Sequence, residues 1–342
     1  MDECVLPGVR ESAQFIASTA SHVIIEEDGV HRAAEMLLPH LSAPSDHTHS
    51  PDPLEPTGLT DSELLEWIFL LDTLNFCFWS DTTTLYTVNY RGRNWTGYRS
   101  LCAALCRAKE DLHLPVHKPL FYSSITMDTM KKIFRSDSSE ELPLLEERRT
   151  NLHQAASVLN KHFSGSVCEL VSSAGHSAQR LMQLLVEHFN SFRDISTYRG
   201  RSVSFLKRAQ IFPADVWDRF GGRGFGEFND IHTLTMFADY RVPQSLLYMG
   251  VLTYDSELLR RLRAGDHLAA GGEKEAEIRG CSIWAIELIK EQMISLAREA
   301  SLHCEQTDLS SVKIDYYLWN YAKTHASDMN SHPIHRTNTI FY

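Results

Sequence analysis

At 342 residues, with 43% hydrophobic and 23% charged residues, the chain has the make-up of a globular protein with ample core, in one large domain or two ordinary ones. Its 33 basic and 44 acidic residues, net −11, argue against a broad nucleic-acid footprint, which needs a basic face, while leaving room for a small pocket for one nucleotide. The seven cysteines include no CxxC, Met1–Gly8 lacks the basic and apolar regions of a secretory leader, and the longest apolar run, Leu64–Trp79, carries Glu66, Asp72 and Asn75. Free buried thiols, a cytosolic or nuclear location and no membrane span are therefore expected.

In chain order, Arg10–Ala20 places Ala13, Phe15, Ile16 and Ala20 at helical spacing. After Val23-Ile-Ile, a Glu-Glu-Asp-Gly turn leads into a second expected helix over Val30–Leu41. Residues 40–58 hold Pro44, Pro51, Pro53 and Pro56 among Ser, Thr and His, the signature of a surface loop. His47 and His49 lie in it without a carboxylate or Cys cluster. They read as loop histidines, or as part of a lid over a pocket.

Thr60-Asp-Ser-Glu63 is a capping-box signature opening a helix expected over Ser62–Trp79. Asp72 and Asn75 share one face of it and suit either a site supported from behind or a tie to the next loop. The alternating, β-branched Leu85–Tyr90 with its return near Asn94–Tyr98 reads as one short hairpin, the only clear β signal. Helical periodicity then covers Ser100–Ala108, Ser124–Arg135, Leu144–Phe163, Ser177–Phe189, Val203–Phe220, Asp255–Arg263, Glu273–Ala300 and Val312–His325. Lys207 and Gln210, at i and i+3, suit a solvated face or a site equally. The apolar end of the His335–Tyr342 tail is expected to dock. The fold class is mostly α: a single multi-helix domain over 1–342 with one small β-hairpin.

The stretch Phe225–Gln244 mixes features that a plain helix does not need. Gly224 and Gly226 loosen the backbone upstream, the apolar run Ile231–Phe237 implies burial, and Asp239 and Arg241 precede Pro243, which suits the first turn of a new helix. A carboxylate at a break between two apolar helices suits chemistry, and a structural ion pair gives the same pattern. The glycine-rich, nucleophile-elbow and metal-ligand motifs of the common enzyme classes are missing. Residues alone leave a carboxylate-based hydrolase, a small-ligand binding module or a helical scaffold. Two features favour a pocket: Phe237-Ala-Asp239, and Asp315-Tyr316-Tyr-Leu-Trp-Asn320, where acceptors stand among aromatics on one helix. Stacking plus polar edge contacts is how a protein reads a flipped-out base. An aromatic core stripe with two exposed polar residues is the plainer alternative.

Several blocks, in order along nearly the whole chain, resemble the queuosine salvage family, the queuosine 5′-phosphate N-glycosylases. They are Asp72-Thr-Leu-Asn-Phe-Cys-Phe-Trp-Ser80, Arg91-Gly with Gly97-Tyr98 and Ser100-Leu-Cys-Ala-Ala, Phe205-Leu-Lys-Arg-Ala-Gln210, Thr235-Met-Phe-Ala-Asp-Tyr-Arg-Val-Pro243, Glu277-Ile-Arg-Gly-Cys-Ser-Ile-Trp284 and Asp315-Tyr-Tyr-Leu-Trp319. The resemblance implies a helical architecture akin to DNA glycosylases and hydrolysis of the N-glycosidic bond of queuosine 5′-phosphate, which releases queuine for tRNA modification. It implies a small-molecule nucleotide as partner, no stable nucleic-acid complex, and neither metal nor cofactor. Asp239 matches the catalytic aspartate, with Asp230 as the competing carboxylate. Phe237, Asp315, Tyr316 and Asn320 match the base-reading part, His49 is the candidate for a histidine ahead of the Asp72 helix, and Lys207 and Arg241 suit the 5′-phosphate or supporting charge. The chain departs from the family pattern at Asn320, where an aspartate is usual, and at Arg99, where a tryptophan is usual.

Overall fold

The computed structural model describes residues 7–42, 53–302 and 308–342. These carry fourteen α-helices and six short strands arranged as three separate antiparallel pairs. The expectation of a mostly α chain holds; the single hairpin becomes three strand pairs. The expected one, Thr87–Tyr90 with Arg93–Thr96, is present in the register Val88 opposite Trp95. A second hairpin, Ile195–Tyr198 with Arg201–Ser204, takes the place of the first residues of the helix expected over Val203–Phe220, which begins only at Lys207. Both hairpins turn on the same tetrapeptide, Tyr-Arg-Gly-Arg, with positive φ at both central residues (Arg91 51°, Gly92 73°; Arg199 47°, Gly200 78°). That geometry matches the twist of the flanking strands and favours glycine at its second position. The third pair, Val23–Ile25 with Leu252–Tyr254, joins segments remote in sequence, so no local pattern announces it.

Other boundaries shift for identifiable reasons. The second helix is Glu27–Leu41, starting three residues early, because Glu27 and Asp28 suit the positive end of a helix and need not form a turn. The capping box at Thr60 is formed, and its helix runs Asp61–Leu74, not to Trp79. Beyond it the carbonyls of Leu74, Phe76 and Cys77 turn onto the buried guanidinium of Arg148. The helix expected over Ser124–Arg135 is confined to Met127–Ile133. Asp255 caps Ser256–Ala264, and Gly265 ends it in the left-handed conformation.

The contacts divide into two compact units. One comprises residues 1–46, 194–210 and 230–338. Its spine is the long helix Glu273–Glu299, on which Val9–Thr19 and Glu27–Leu41 pack. A Cβ on Gly280 would lie 2.6 Å from Ile16 side-chain atoms, so this crossing requires glycine. Glu277, fully buried in the same helix, accepts the backbone N–H groups of Ser21, His22 and Val23 and the Tyr198 hydroxyl, fixing the entry into the first strand. The other unit comprises 47–193, 211–229 and 339–342. Phe69 is the hub of its aromatic core, with Phe189, Phe192 and Phe212 ring centroids 5.4–6.1 Å away. Asp72 is fully buried there and Asn75 caps the C-terminus of its helix.

As expected, Cys77, Cys102, Cys106 and Cys281 are buried free thiols; Cys168, also free, is partly exposed. Burial raises the Cys77 thiol to about 11, so it remains protonated. The tail docks as expected, with His335, Thr337, Thr339 and Tyr342 buried. Among the described residues, no helix is long and apolar enough to cross a membrane.

Candidate active site

All the candidate residues that the structure describes lie within the first unit; His49 lies outside the described residues. The approach to Asp239 differs from the expected pair of helices. Immediately upstream there is a 3-10 turn, Ile231–Thr233, in place of a helix, after which the chain is irregular and largely buried until Arg241–Tyr248 begins. Buried backbone without a sheet or helix must find its hydrogen bonds elsewhere. Here side chains supply them. Gln210 Oε1 accepts the Thr235 N–H (2.9 Å) and its hydroxyl (3.1 Å). Asp315 Oδ2 accepts the Phe237 N–H at 2.9 Å, and Arg279 Nε donates to the Ala238 carbonyl at 3.0 Å. Three groups from three other segments thus hold residues 235, 237 and 238, which delivers the next side chain, Asp239, to a fixed position.

Asp239 Oδ1 accepts the N–H groups of Arg241 (2.7 Å) and Val242 (3.0 Å), at the N-terminus of Arg241–Tyr248. Those are orphan donors of the helix start, and the helix dipole adds to their stabilisation of a negative charge. Burial nevertheless prevails and pushes the Asp239 carboxyl above the ordinary aspartate value, against the Lys207 charge first and these two N–H groups next. The residue keeps partial access to solvent. A carboxylate that is desolvated, held by two amides and set near a lysine is poised for work on a cationic centre.

Lys207 is 5% exposed and Gln210 1% exposed, so the solvated-face alternative for this pair falls. Lys207 opens its helix, and its N–H donates to Asp194 Oδ2 at 3.2 Å. Phe237 packs against Tyr316 with centroids 5.9 Å apart at 59°. Asp315 is buried and Tyr316 half-buried on the helix Ser311–Thr324, whereas Asn320 is exposed, one turn beyond Tyr316 on the same face. Asp230 is half-buried, and its carbonyl closes the 3-10 turn by accepting both the N–H and hydroxyl of Thr233. Arg241 Nη1 donates to Gln244 Oε1 at 3.0 Å.

Sequence reasoning gave no role to the buried ion network behind Asp239. Arg279, 2% exposed, bonds Asp194 through both terminal nitrogens (3.0 and 2.5 Å), reaches Glu275 at 3.2 Å, and lies 4.1 Å from the Phe205 ring centroid. Through Ala238 it holds the segment that carries Asp239, and through Asp194 it holds the start of the Lys207 helix. His335 beside it is kept neutral, its pKa pushed down to about 3 by burial and then by the Arg279 charge. The available signal was Glu275 and Arg279 at i and i+4 among Ala276, Ile278 and Cys281, an ion pair on an apolar helix face.

These features define a mostly helical protein that presents a half-buried, desolvated carboxylate at a helix start, within the field of a lysine and near an aromatic pair. The family model described as "Queuosine salvage protein" matches residues 54–342. A Mus musculus protein named queuosine 5′-phosphate N-glycosylase/hydrolase is 43% identical over 97% of this chain and 98% of its own. Proteins of the same name from Bos taurus (41% identical, 100% of each chain) and Sphaerobacter thermophilus (34%, 98% of each) also match. The chain belongs to the queuosine salvage protein family.

Proposed function

We propose that this protein hydrolyses the N-glycosidic bond of queuosine 5′-phosphate and releases queuine for reuse in tRNA modification. Relatives carrying that activity in their names align over essentially the entire chain. The observation that supports it most is the Asp239 carboxylate, desolvated yet held by two N–H groups. Cleavage of a glycosidic bond builds positive charge on the sugar. A fixed carboxylate beside that carbon stabilises the charge, and attacks it or activates a water. We assign Asp239 this part, with Asp230 as the competing carboxylate. Phe237 and Tyr316 are proposed to flank the base and Asp315 and Asn320 to read its polar edge, with His49 kept as the candidate for the histidine that the family resemblance implies. Lys207 and Arg241 supply positive charge for the 5′-phosphate or for Asp239. The proposal needs neither metal nor cofactor, treats residues 1–342 as one catalytic domain of DNA-glycosylase-like architecture, and places it in the cytoplasm. Incubation with queuosine 5′-monophosphate and chromatography for free queuine tests it. Binding of queuine without release of base from the nucleotide would make the chain a binding module instead.

Asn320 bears on affinity. A guanine-like base offers N–H donors, and hydrogen bonds to a charged acceptor are roughly twice as strong as neutral ones. Asn320→Asp is expected to tighten queuine binding about fivefold, an increment of about 1 kcal/mol. Calorimetry showing equal affinity in the two proteins would remove Asn320 from the base-reading set.

A further inference from the structure

Within the first unit lies a cavity of about 500 Å³ lined by Arg241, Arg263, Arg336 and His332, together with Gln244, Gly265 and the 330–334 loop. It has the volume of a small-ligand pocket. None of Lys207, Phe237, Asp239, Asp315, Tyr316 and Asn320 lines it; Arg241 does, and its charge also acts on Asp239. The lining holds three guanidinium groups and no carboxylate, in a chain of net charge −11. The nearby Asp266 is engaged by Arg261 at 3.3 Å.

The arginines have one plainer task. Arg336 Nη1 reaches the Gly265 carbonyl at 3.5 Å, and Arg263 lies in the last turn of Ser256–Ala264, so both meet the negative end of that helix. That end carries roughly half a charge, however, against three full positive charges around the cavity. The wall is also braced: Gln244 Oε1 accepts from Arg241, while its Nε2 donates to the His332 carbonyl at 2.7 Å and the Met329 carbonyl at 3.4 Å. Burial, and then the Arg263 charge, lowers the His332 pKa, which leaves a neutral ring that can donate one hydrogen bond.

We propose that this cavity is a second anion site, built for a phosphate group and separate from the position of the reacting sugar. Guanidinium forks match phosphate oxygens in pairs, which favours phosphate over a monovalent halide. Its link to the reacting centre is Arg241, which lines the cavity and whose N–H holds Asp239 Oδ1. The proposal rests on cavity chemistry alone and stands whether or not Asp239 is catalytic.

Titration calorimetry of the full chain with inorganic phosphate tests it. The expected result is one saturable site, weakened at least tenfold in both Arg263→Gln and Arg336→Gln, with each variant still melting in one cooperative transition. In wild type, phosphate should raise the His332 pKa, followed by ring-proton NMR, and the rise should shrink in Arg263→Gln. Both variants should keep the KM for queuosine 5′-monophosphate within about twofold. Phosphate affinity unaffected by either substitution would overturn the site. A tenfold higher substrate KM in both variants would overturn its separateness, since the cavity would then hold the substrate's own phosphate.

Discussion

Asp239→Asn is expected to lose turnover of queuosine 5′-phosphate by on the order of 10³-fold or more, the scale set by removing a preorganised electrostatic group from a water-poor site. The substitution is nearly isosteric, and the amide oxygen can still accept the Arg241 and Val242 N–H groups, so the helix start survives. What disappears is the charge. Stability should move the opposite way. Burial holds the folded-state pKa of Asp239 above its unfolded value, so the unfolded chain ionises first as pH rises. Above the ordinary aspartate pKa the unfolded state is therefore favoured, and stability declines as pH climbs through the interval up to the folded-state pKa. A neutral amide removes that penalty, and the variant should melt at a higher temperature than wild type at neutral pH. A site held at the expense of stability behaves this way. The same shift sets the acid limb of kcat/KM above the ordinary aspartate range, if Asp239 must be ionised to act. Asp230→Asn, measured in parallel, should stay within a few-fold of wild type. Ordinary turnover in Asp239→Asn, or a lower melting temperature, would each count against the assignment.

The helices were legible because their signals are local. Thr60-Asp-Ser-Glu63 announces its capping box, and Asp255 with Gly265 announces both ends of one helix. The strand pair Val23–Ile25 with Leu252–Tyr254 was not, because its partners are about 230 residues apart and three residues of Val and Ile fit a strand or a buried helix equally. The second hairpin did carry a signal, the repeated Tyr-Arg-Gly-Arg, but the apolar residues after it extend the helical pattern backwards across the strand. At the candidate site, composition pointed to Asp239 and misjudged its approach. An apolar run with buried spacing, Ile231–Phe237, reads as helix when its hydrogen bonds are assumed to be internal. They are instead provided by Gln210, Asp315 and Arg279, from parts of the chain that no local window contains. Lys207 shows the same limit: its spacing from Gln210 describes a face, and only tertiary contacts decide whether water or protein lies against it.

Arg279→Met is expected to destabilise the protein by about 3–5 kcal/mol, the range for removing one partner of a buried ion pair. Methionine fills much of the same volume, so the loss is mainly electrostatic. Asp194 and Glu275, 3% and 2% exposed, would keep their desolvation and lose the guanidinium between them. Urea denaturation should show the loss as an earlier midpoint; a change below about 1 kcal/mol would mean that the carboxylates are protonated or otherwise compensated. Arg279→Lys separates charge from geometry. One ammonium restores a positive charge but cannot hold both Asp194 oxygens and the Ala238 carbonyl together, because those three bonds use the planar fork. Lysine should therefore recover a good part of the stability while kcat remains depressed and KM changes little, as expected when the segment carrying Asp239 is held less firmly. Coupling provides the last control. In a Glu275→Gln background one of the two stranded charges is already gone, so Arg279→Met should be less damaging there than in wild type. Equal effects in both backgrounds would show that Glu275 is not energetically coupled to Arg279.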